Sequence, residues 1–122
     1  VRGTQLQDNV QILHEYGARE IHMRIACPCL IYPCEFLNFS TSRSTLDLAG
    51  RKAILHIEGS ETTALDEYAK DGSEKHKAMV GHICKNLRLS TLRYQTLEDL
   101  VNAIGLPKEQ LCTHCWDGTS YY

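Results

Sequence analysis

The sequence predicts an α/β domain, because segments with helical and strand periodicity alternate along it and its middle is helical. Residues 4–16 carry apolar side chains at the spacing of one helix face, and "REIHMRIACP" alternates apolar with polar residues as a strand does. A second strand is predicted at 91–95, directly before a helix at 96–105. This order favours a strand layer covered by helices.

The predicted ends of the outer helices follow from capping chemistry. Thr4 is the expected N-cap of the first helix, behind the flexible Gly3, and Gly17 ends that helix. Its expected buried face consists of Leu6, Val10, Leu13 and Tyr16. Thr96 is the expected N-cap of the last long helix, and Gly105 ends it. Its expected buried face consists of Leu97, Leu100, Val101 and Ile104.

The middle of the chain predicts three helices, at 44–59, 61–72 and 73–87. Ser44 is a candidate cap for the first of them, and Gly59 ends it. In the third, apolar side chains recur every four residues, at Met79, Ile83 and Leu87. The stretch "ETTALDEYAKDGSEKHKAMVG" is rich in charged residues, so we expect it to form a mostly solvated helical hairpin outside any active site.

Composition limits the classes of partner. The formal net charge is -2 and the basic residues are scattered, so we expect no nucleic acid and no anionic membrane as a partner. No apolar run approaches the roughly 20 residues that span a bilayer. Six cysteines is a high count for 122 residues, and the pair Cys112-x-x-Cys115 suits metal or redox chemistry in a reducing cytoplasm.

The cysteines leave several alternatives open. A redox pair is expected just after a strand, at a helix N-terminus that lowers the thiol pKa, whereas Cys112 and Cys115 follow a helix and a proline. The loop from Cys27 to Phe39, bounded by Pro28 and Pro33, offers further thiolates for zinc or an iron–sulfur cluster. Some cysteines, Cys84 above all, are equally explained as small buried side chains.

Four stretches together resemble the glutamine-dependent amidophosphoribosyltransferases. "VRGTQLQ" resembles the second half of the phosphoribosyl-diphosphate (PRPP) motif of type I phosphoribosyltransferases, and "GAREIHMRIACP" resembles the strand that follows it. "YPC" resembles the family's His-Pro-Cys, and "TLRYQTLEDLVNAIG" with "CTHCWDG" resembles its C-terminal strand, helix and CxxC. The order of the four matches is more specific than any one of them.

The resemblance implies an architecture. Residues 1–40 would be part of a Rossmann-like type I phosphoribosyltransferase domain, and residues 41–122 an added helical C-terminal region with a short strand and the CxxC tail. The chain would be a C-terminal segment of a longer enzyme, with the acidic pair of the PRPP motif and the glutaminase cysteine upstream of Val1. It would then contain no catalytic residue and be inactive alone.

The resemblance also implies two sites. Arg2, Gly3, Thr4 and Gln5 would bind the 5-phosphate of PRPP through backbone N–H groups at a helix start, with Mg²⁺ bound alongside PRPP. Gln5 replaces a threonine that many relatives carry. Cys34, Cys112 and Cys115 would be three of the four ligands of a structural 4Fe–4S cluster, or would bind zinc, with the fourth ligand elsewhere. Cys27, Cys29 and Cys84 would lie apart from them.

The implied parent enzyme is a cytoplasmic glycosyltransferase of purine biosynthesis. It would transfer ammonia from glutamine to PRPP, giving 5-phosphoribosylamine, and would work as a homo-oligomer. The alternative is a small metal-binding or interaction module without catalysis. The residues 35–39 depart from the family pattern after Cys34, and the helices near 58–86 extend beyond it, which indicates a divergent branch.

Overall fold

The computed structural model describes residues 3–34, 36 and 45–119. Six α-helices and two strands lie within them: α1 Gly3–Glu15, β1 His22–Ile25, α2 Ala49–Glu58, α3 Leu65–Ala69, α4 Glu74–Asn86, β2 Thr91–Tyr94, α5 Leu97–Ile104 and α6 His114–Asp117. Short 3-10 turns lie at Thr45–Asp47 and Lys108–Gln110. None of the helices within these ranges combines the length and the apolar character needed to cross a bilayer.

The two predicted strands pair with each other. β1 and β2 run parallel, with His22 opposite Thr91 and Ile25 opposite Tyr94. The ladder continues at both ends, where Ser90 N–H donates to the Ile21 carbonyl at 2.8 Å and Gln95 N–H donates to the Ile25 carbonyl at 3.0 Å. Parallel strands need a long crossover, and here α2, α3 and α4 lie in it. The α/β class predicted from the sequence is therefore confirmed.

One apolar core joins the sheet, the loop after β1 and the crossover helices. Its most buried side chains come from that loop and from α2, α3 and α4: Ile31, Ile54, Tyr68 and Met79, each no more than 1% exposed. Around them lie further buried apolar residues: Val10, Ile21, Cys29, Ala53, Ile83, Leu87, Leu89 and Leu92. Residues on both sides of position 40 thus contribute to the same core.

Helix α1 forms as predicted, but its buried face is narrower than predicted. Val10 is buried and Leu6 packs partly against the core. Leu13 is half exposed and Tyr16 is 88% exposed, so the expectation that these two face inward is wrong. Periodicity identifies an apolar stripe without saying how much of it is covered, and among the described residues only the Val10 side of α1 is well covered.

Helix α2 starts later than predicted, at Ala49. A 3-10 turn over Thr45–Asp47 precedes it, and its N-cap Leu48 makes no side-chain capping hydrogen bond. Ser44, the predicted cap, lies outside the described residues. The predicted end is confirmed, because Gly59 adopts a left-handed φ of 76° and its N–H donates to the Leu55 carbonyl.

The prediction of a mostly solvated helical hairpin at residues 61–81 is confirmed in outline, because α3 and α4 contact each other and most side chains of the stretch are half-buried or exposed. Two of its side chains nevertheless belong to the core. Tyr68 and Met79 are fully buried, and the Tyr68 hydroxyl donates to Glu58 at 2.7 Å. Lys75 binds the same carboxylate oxygen at 2.7 Å. The four-residue repeat of Met79, Ile83 and Leu87 is confirmed as a buried face. The high average charge of the stretch concealed the inward side chain of Tyr68.

Helix α5 has the predicted caps but lies at the periphery. The Thr96 hydroxyl accepts from Asp99 N–H at 3.1 Å, and Gly105 adopts a left-handed φ of 80°. Asp71 fixes the start of the helix by accepting from Leu97 N–H at 2.9 Å. No residue of α5 is buried, and Ile104 is half exposed, so the predicted inward face is only partly covered.

We expect Met79→Ala to lower the free energy of unfolding by about 2–5 kcal/mol, since it removes a fully buried side chain from a packed core. Lys77→Ala, on the exposed side of the same helix, is the matched control and is expected to change stability by less than about 0.5 kcal/mol. Urea unfolding of both variants measures the difference. Equal effects would contradict the assignment of α4 to the core.

We expect stability to fall as the pH is lowered through about 6.5, because of a histidine pair between α2 and α4. The rings of His56 and His82 stack with centroids 5.2 Å apart. Burial, with the charges of His56 and Lys85, lowers the pKa of His82 below its ordinary 6.5. The unfolded chain therefore takes up the proton first as the pH falls. Urea unfolding between pH 7.5 and 5 should show a flatter profile for His82→Gln, and identical profiles would refute this.

Candidate functional site

The predicted phosphate site lies at the start of α1. The helix begins at Gly3, so Thr4 belongs to its first turn and the prediction of Thr4 as N-cap is wrong by one or two positions. Gln5 is exposed, and Arg2 lies outside the described residues. The first N–H groups of any helix lack partners within it and form its positive end. The start of α1 therefore has the backbone chemistry of an anion site.

The second predicted site begins in the cysteine loop, residues 26–34, which is irregular but buried. Pro28 and Pro33 prevent the chain from continuing β1 as a strand. Cys29, Ile31 and Cys34 are nevertheless buried in it. Helix α2 approaches the loop closely at Gly50, where an added Cβ would lie 3.0 Å from the Cys29 sulfur and 3.1 Å from the Leu30 carbonyl oxygen.

A buried arginine holds the cysteine loop in place. Arg51 of α2 is 6% exposed, and its Nε donates to the Ile31 carbonyl at 2.6 Å. Its Nη1 donates to the Glu61 carbonyl at 3.3 Å, and its guanidinium lies 5.9 Å from the centre of the Tyr32 ring. Burial lowers the pKa of Arg51, although an arginine this close to two carbonyls and a ring face remains charged.

The CxxC tail is bound to the cysteine loop through the backbone. The Cys115 carbonyl accepts two hydrogen bonds, from Ile31 N–H at 2.9 Å and from Tyr32 N–H at 3.0 Å. The Tyr32 ring lies against Gly118, where an added Cβ would come within 2.9 Å of it. Two segments more than eighty residues apart in the sequence thus meet at one place, with Cys34 two residues beyond the contact.

An aspartate fixes the shape of the tail. Asp117 accepts from the Thr113 hydroxyl at 3.0 Å and from Thr119 N–H at 2.9 Å, and it forms an ion pair with Lys108 at 2.9 Å. Burial alone would raise the pKa of Asp117, but Lys108 and the hydrogen bonds from Thr119 and Thr113 outweigh it and lower the pKa to about 2. Asp117 therefore binds the residues on both sides of the short helix α6.

The six cysteines have distinct environments. Cys34 is buried, with Phe36 N–H donating to its sulfur at 3.4 Å, while Cys115 is half-buried and Cys112 is exposed. Within residues 3–34, 36 and 45–119, no three histidine, cysteine or acidic side chains are grouped so that they could hold one metal ion. Burial raises the pKa of the Cys29 thiol to about 11, so it stays protonated. Cys84 donates from α4 to the Leu89 carbonyl at 3.4 Å.

Three residues shape this region without a role predicted from the sequence: Arg51, Tyr32 and Asp117. Tyr32 and Asp117 are recognised from the sequence only as parts of "YPC" and "CTHCWDG". Nothing in the local sequence distinguishes Arg51 from an exposed helical arginine, because its burial depends on a loop twenty residues away. His114 is half-buried, and its ring centre lies 6.0 Å from that of Tyr32.

Comparison with known proteins gives a consistent result. Over 118 residues, 97% of its length, the chain is 30% identical to amidophosphoribosyltransferases of Methanothermobacter thermautotrophicus and of Methanocaldococcus jannaschii. A shorter stretch of 34 residues is 53% identical to the amidophosphoribosyltransferase of Pyrococcus horikoshii. The chain spans only about a fifth, 19%, of the length of the first two relatives.

No family model matches the chain, and no solved structure matches it. The similarity to the amidophosphoribosyltransferases therefore rests on comparison with individual sequences, and it extends well beyond the four motifs. Along almost all of its length, the chain is similar in sequence to one segment of the amidophosphoribosyltransferases, which confirms the family resemblance predicted from its motifs.

Proposed function

We propose that this chain is a segment of an enzyme that transfers ammonia from glutamine to PRPP and forms 5-phosphoribosylamine, an early step of purine biosynthesis. The similarity over 118 residues to amidophosphoribosyltransferases is the observation that carries the proposal. Catalytic residues for both half-reactions would lie in other parts of the full-length protein. The segment alone would be inactive.

Residues 1–40 would belong to a type I phosphoribosyltransferase domain, and residues 41–122 to a helical C-terminal region. The succession of α1 and β1, and the parallel pairing of β1 with β2, are compatible with a Rossmann-like sheet. The two regions would act as one folding unit, because the core contains side chains from both.

The 5-phosphate of PRPP would bind at Arg2, Gly3, Thr4 and Gln5. The start of α1 at Gly3 supports this, since the N–H groups of Gly3, Thr4 and Gln5 then lie at the positive end of a thirteen-residue helix. Mg²⁺ would bind with PRPP through acidic residues outside this chain. The chain itself would therefore bind and orient the phosphate without taking part in bond making.

Cys34, Cys112 and Cys115 would supply three thiolates to a metal centre, with a fourth ligand elsewhere in the full-length protein. The backbone contact of Cys115 with the cysteine loop, and the burial of Cys34, support this. Within the described residues no three histidine, cysteine or acidic side chains are grouped as one metal ion needs. The centre would be a 4Fe–4S cluster or a zinc ion. Its role would be structural.

The exposed apolar surfaces support a larger assembly. Ile12, Leu13 and Tyr16 of α1, and Ile104 and Leu106 near the end of α5, are all about half exposed or more. Such surfaces in a chain that spans a fifth of its relatives favour packing against the remainder of the enzyme. We propose that the full-length protein is a homo-oligomer in the cytoplasm, a reducing compartment in which its cysteines remain thiols.

The activity is tested with the purified full-length protein. We expect it to release pyrophosphate from PRPP when glutamine or ammonia is supplied, and to hydrolyse glutamine. A protein that folds and binds metal but consumes neither substrate would favour the alternative, a non-catalytic metal-binding or interaction module.

We expect Thr4→Val in the full-length protein to raise the KM for PRPP roughly tenfold, which corresponds to about 1.4 kcal/mol of binding free energy. The substitution removes a hydroxyl at the proposed phosphate site and leaves the backbone intact. Steady-state kinetics with PRPP as the varied substrate measure the effect, and glutamine hydrolysis is the internal control. An unchanged KM for PRPP would show that the Thr4 side chain does not contribute to the phosphate site.

We expect Cys34→Ser to abolish a metal centre that wild-type protein holds after anaerobic purification, with about four iron and four sulfide per chain. Cys84→Ser is the matched control, because Cys84 is a half-buried thiol that donates to the Leu89 carbonyl. Iron and sulfide analysis with visible absorbance gives the result. Stoichiometric zinc without sulfide would replace the cluster by a zinc site, and equal loss in both variants would contradict the assignment of Cys34.

A further inference from the structure

One face of the sheet formed by β1 and β2 is open to solvent. Side chains alternate along each strand, so Met23 and Leu92 pack on the core, while His22, Arg24 and Arg93 are exposed on the opposite face. Parallel sheets are normally covered on both faces by helices. The described residues leave these three side chains without such a cover.

The open face carries two positive charges side by side. Arg24 lies opposite Arg93 in the register of the sheet, so the two side chains leave neighbouring strands at the same level. Like charges at paired positions destabilise a sheet. The Nη1 of Arg24 donates to the Met23 carbonyl and to the Thr91 hydroxyl, both at 2.9 Å, and neither acceptor carries a charge that would balance the pair.

No acidic side chain of the described residues neutralises this pair. Neither Arg24 nor Arg93 forms an ion pair within residues 3–34, 36 and 45–119. Glu20, which precedes β1, instead lies 3.2 Å from the ring of His22. Two guanidinium groups therefore stand together without a counter-charge, and guanidinium groups bind carboxylates through paired hydrogen bonds.

We propose that a helix of the same polypeptide covers this face in the full-length protein and places at least one carboxylate between Arg24 and Arg93. This inference rests on the proposed function, under which the chain is one segment of an enzyme about five times as long, since it spans 19% of its relatives. A sheet of two strands is marginal alone, so its second face is expected to be covered within its own domain. The two arginines require that the covering helix be acidic.

The sign of a change in stability separates a covered face from an open one. On an open face, removal of one arginine relieves the repulsion between the two, and stability is unchanged or rises. On a face covered by a carboxylate, the same removal leaves that carboxylate buried and unpaired, and stability falls. A role of Arg93 in exposed strand packing alone does not produce that fall.

The first test is Arg93→Met in the full-length protein, which removes the charge and keeps an unbranched side chain. Arg19→Met is the matched control, because Arg19 is exposed in the turn before β1. Thermal unfolding gives the melting temperature, with and without added inorganic phosphate. We expect the melting temperature to fall by several degrees for Arg93→Met and to stay unchanged for Arg19→Met, with no effect of phosphate on their difference.

The second test identifies the covering helix. The photo-cross-linking residue p-benzoylphenylalanine replaces His22 on the open face or, as the control, Ala78 on the exposed side of α4. After irradiation of the full-length protein and digestion, mass spectrometry identifies the linked peptide. We expect position 22 to link to an acidic peptide of the same polypeptide outside residues 1–122, and position 78 not to link to that peptide.

Four results would overturn the inference. They are a melting temperature of Arg93→Met at or above that of wild type, no link from position 22, a link to a second copy of the protein, and a stabilisation by phosphate that Arg93→Met abolishes, which would indicate a site for a small oxyanion instead. Pyrophosphate release is measured separately on wild type. An inactive protein that still gives the expected link would refute the proposed transfer reaction and leave the acidic covering helix in place.

Discussion

The arrangement of this chain depends on the hydrogen bonds that the Arg51 guanidinium donates. The guanidinium connects α2 to an irregular loop that has no ladder of its own, through a 2.6 Å hydrogen bond to the Ile31 carbonyl. The loop can then present the Ile31 and Tyr32 N–H groups on its other side to the Cys115 carbonyl. A charge is costly to bury, and it is tolerated here because carbonyl oxygens and an aromatic face surround it. Arg51 joins helix α2 to the cysteine loop, and the loop in turn binds the tail.

The sequence predicted most accurately the features that depend on residues close to one another along the chain. Thr96 and Gly105 bound α5 because their capping bonds involve residues three or four positions away. The first strand was predicted from the alternation of its side chains, although the strand with which it pairs is remote in the sequence. Burial was harder to predict. Tyr68 was hidden in a charged stretch, and Tyr16 continues an apolar stripe of which the described residues cover only the side of Val10 and Leu6. The burial of a side chain depends on the residues that pack against it, and the fold determines which residues those are.

The residues of the candidate sites differ in the same way: some are recognisable from local motifs, and others depend on the fold. Resemblance to a family located Cys34 and the CxxC pair, and the structure joins the Cys115 carbonyl to the loop two residues before Cys34. Arg51, which holds the loop side of this junction, carries no sequence signature, because its partners are backbone carbonyls ten and twenty residues away. The relation to amidophosphoribosyltransferases covers 97% of the chain, so this supporting residue lies inside the related region as much as the motifs do.

The parallel pairing of β1 with β2 has a consequence for how the chain folds. His22 and Thr91, which bond across the sheet, are 69 positions apart. Closing so long a loop carries an entropic cost that no contact offsets until the strands meet. The helices of the crossover make their contacts at short range, and they are therefore expected to assemble first. The sheet, whose first strand leads into the cysteine loop, would then be the last part of this unit to form, and the rate of its formation would limit the rate of folding.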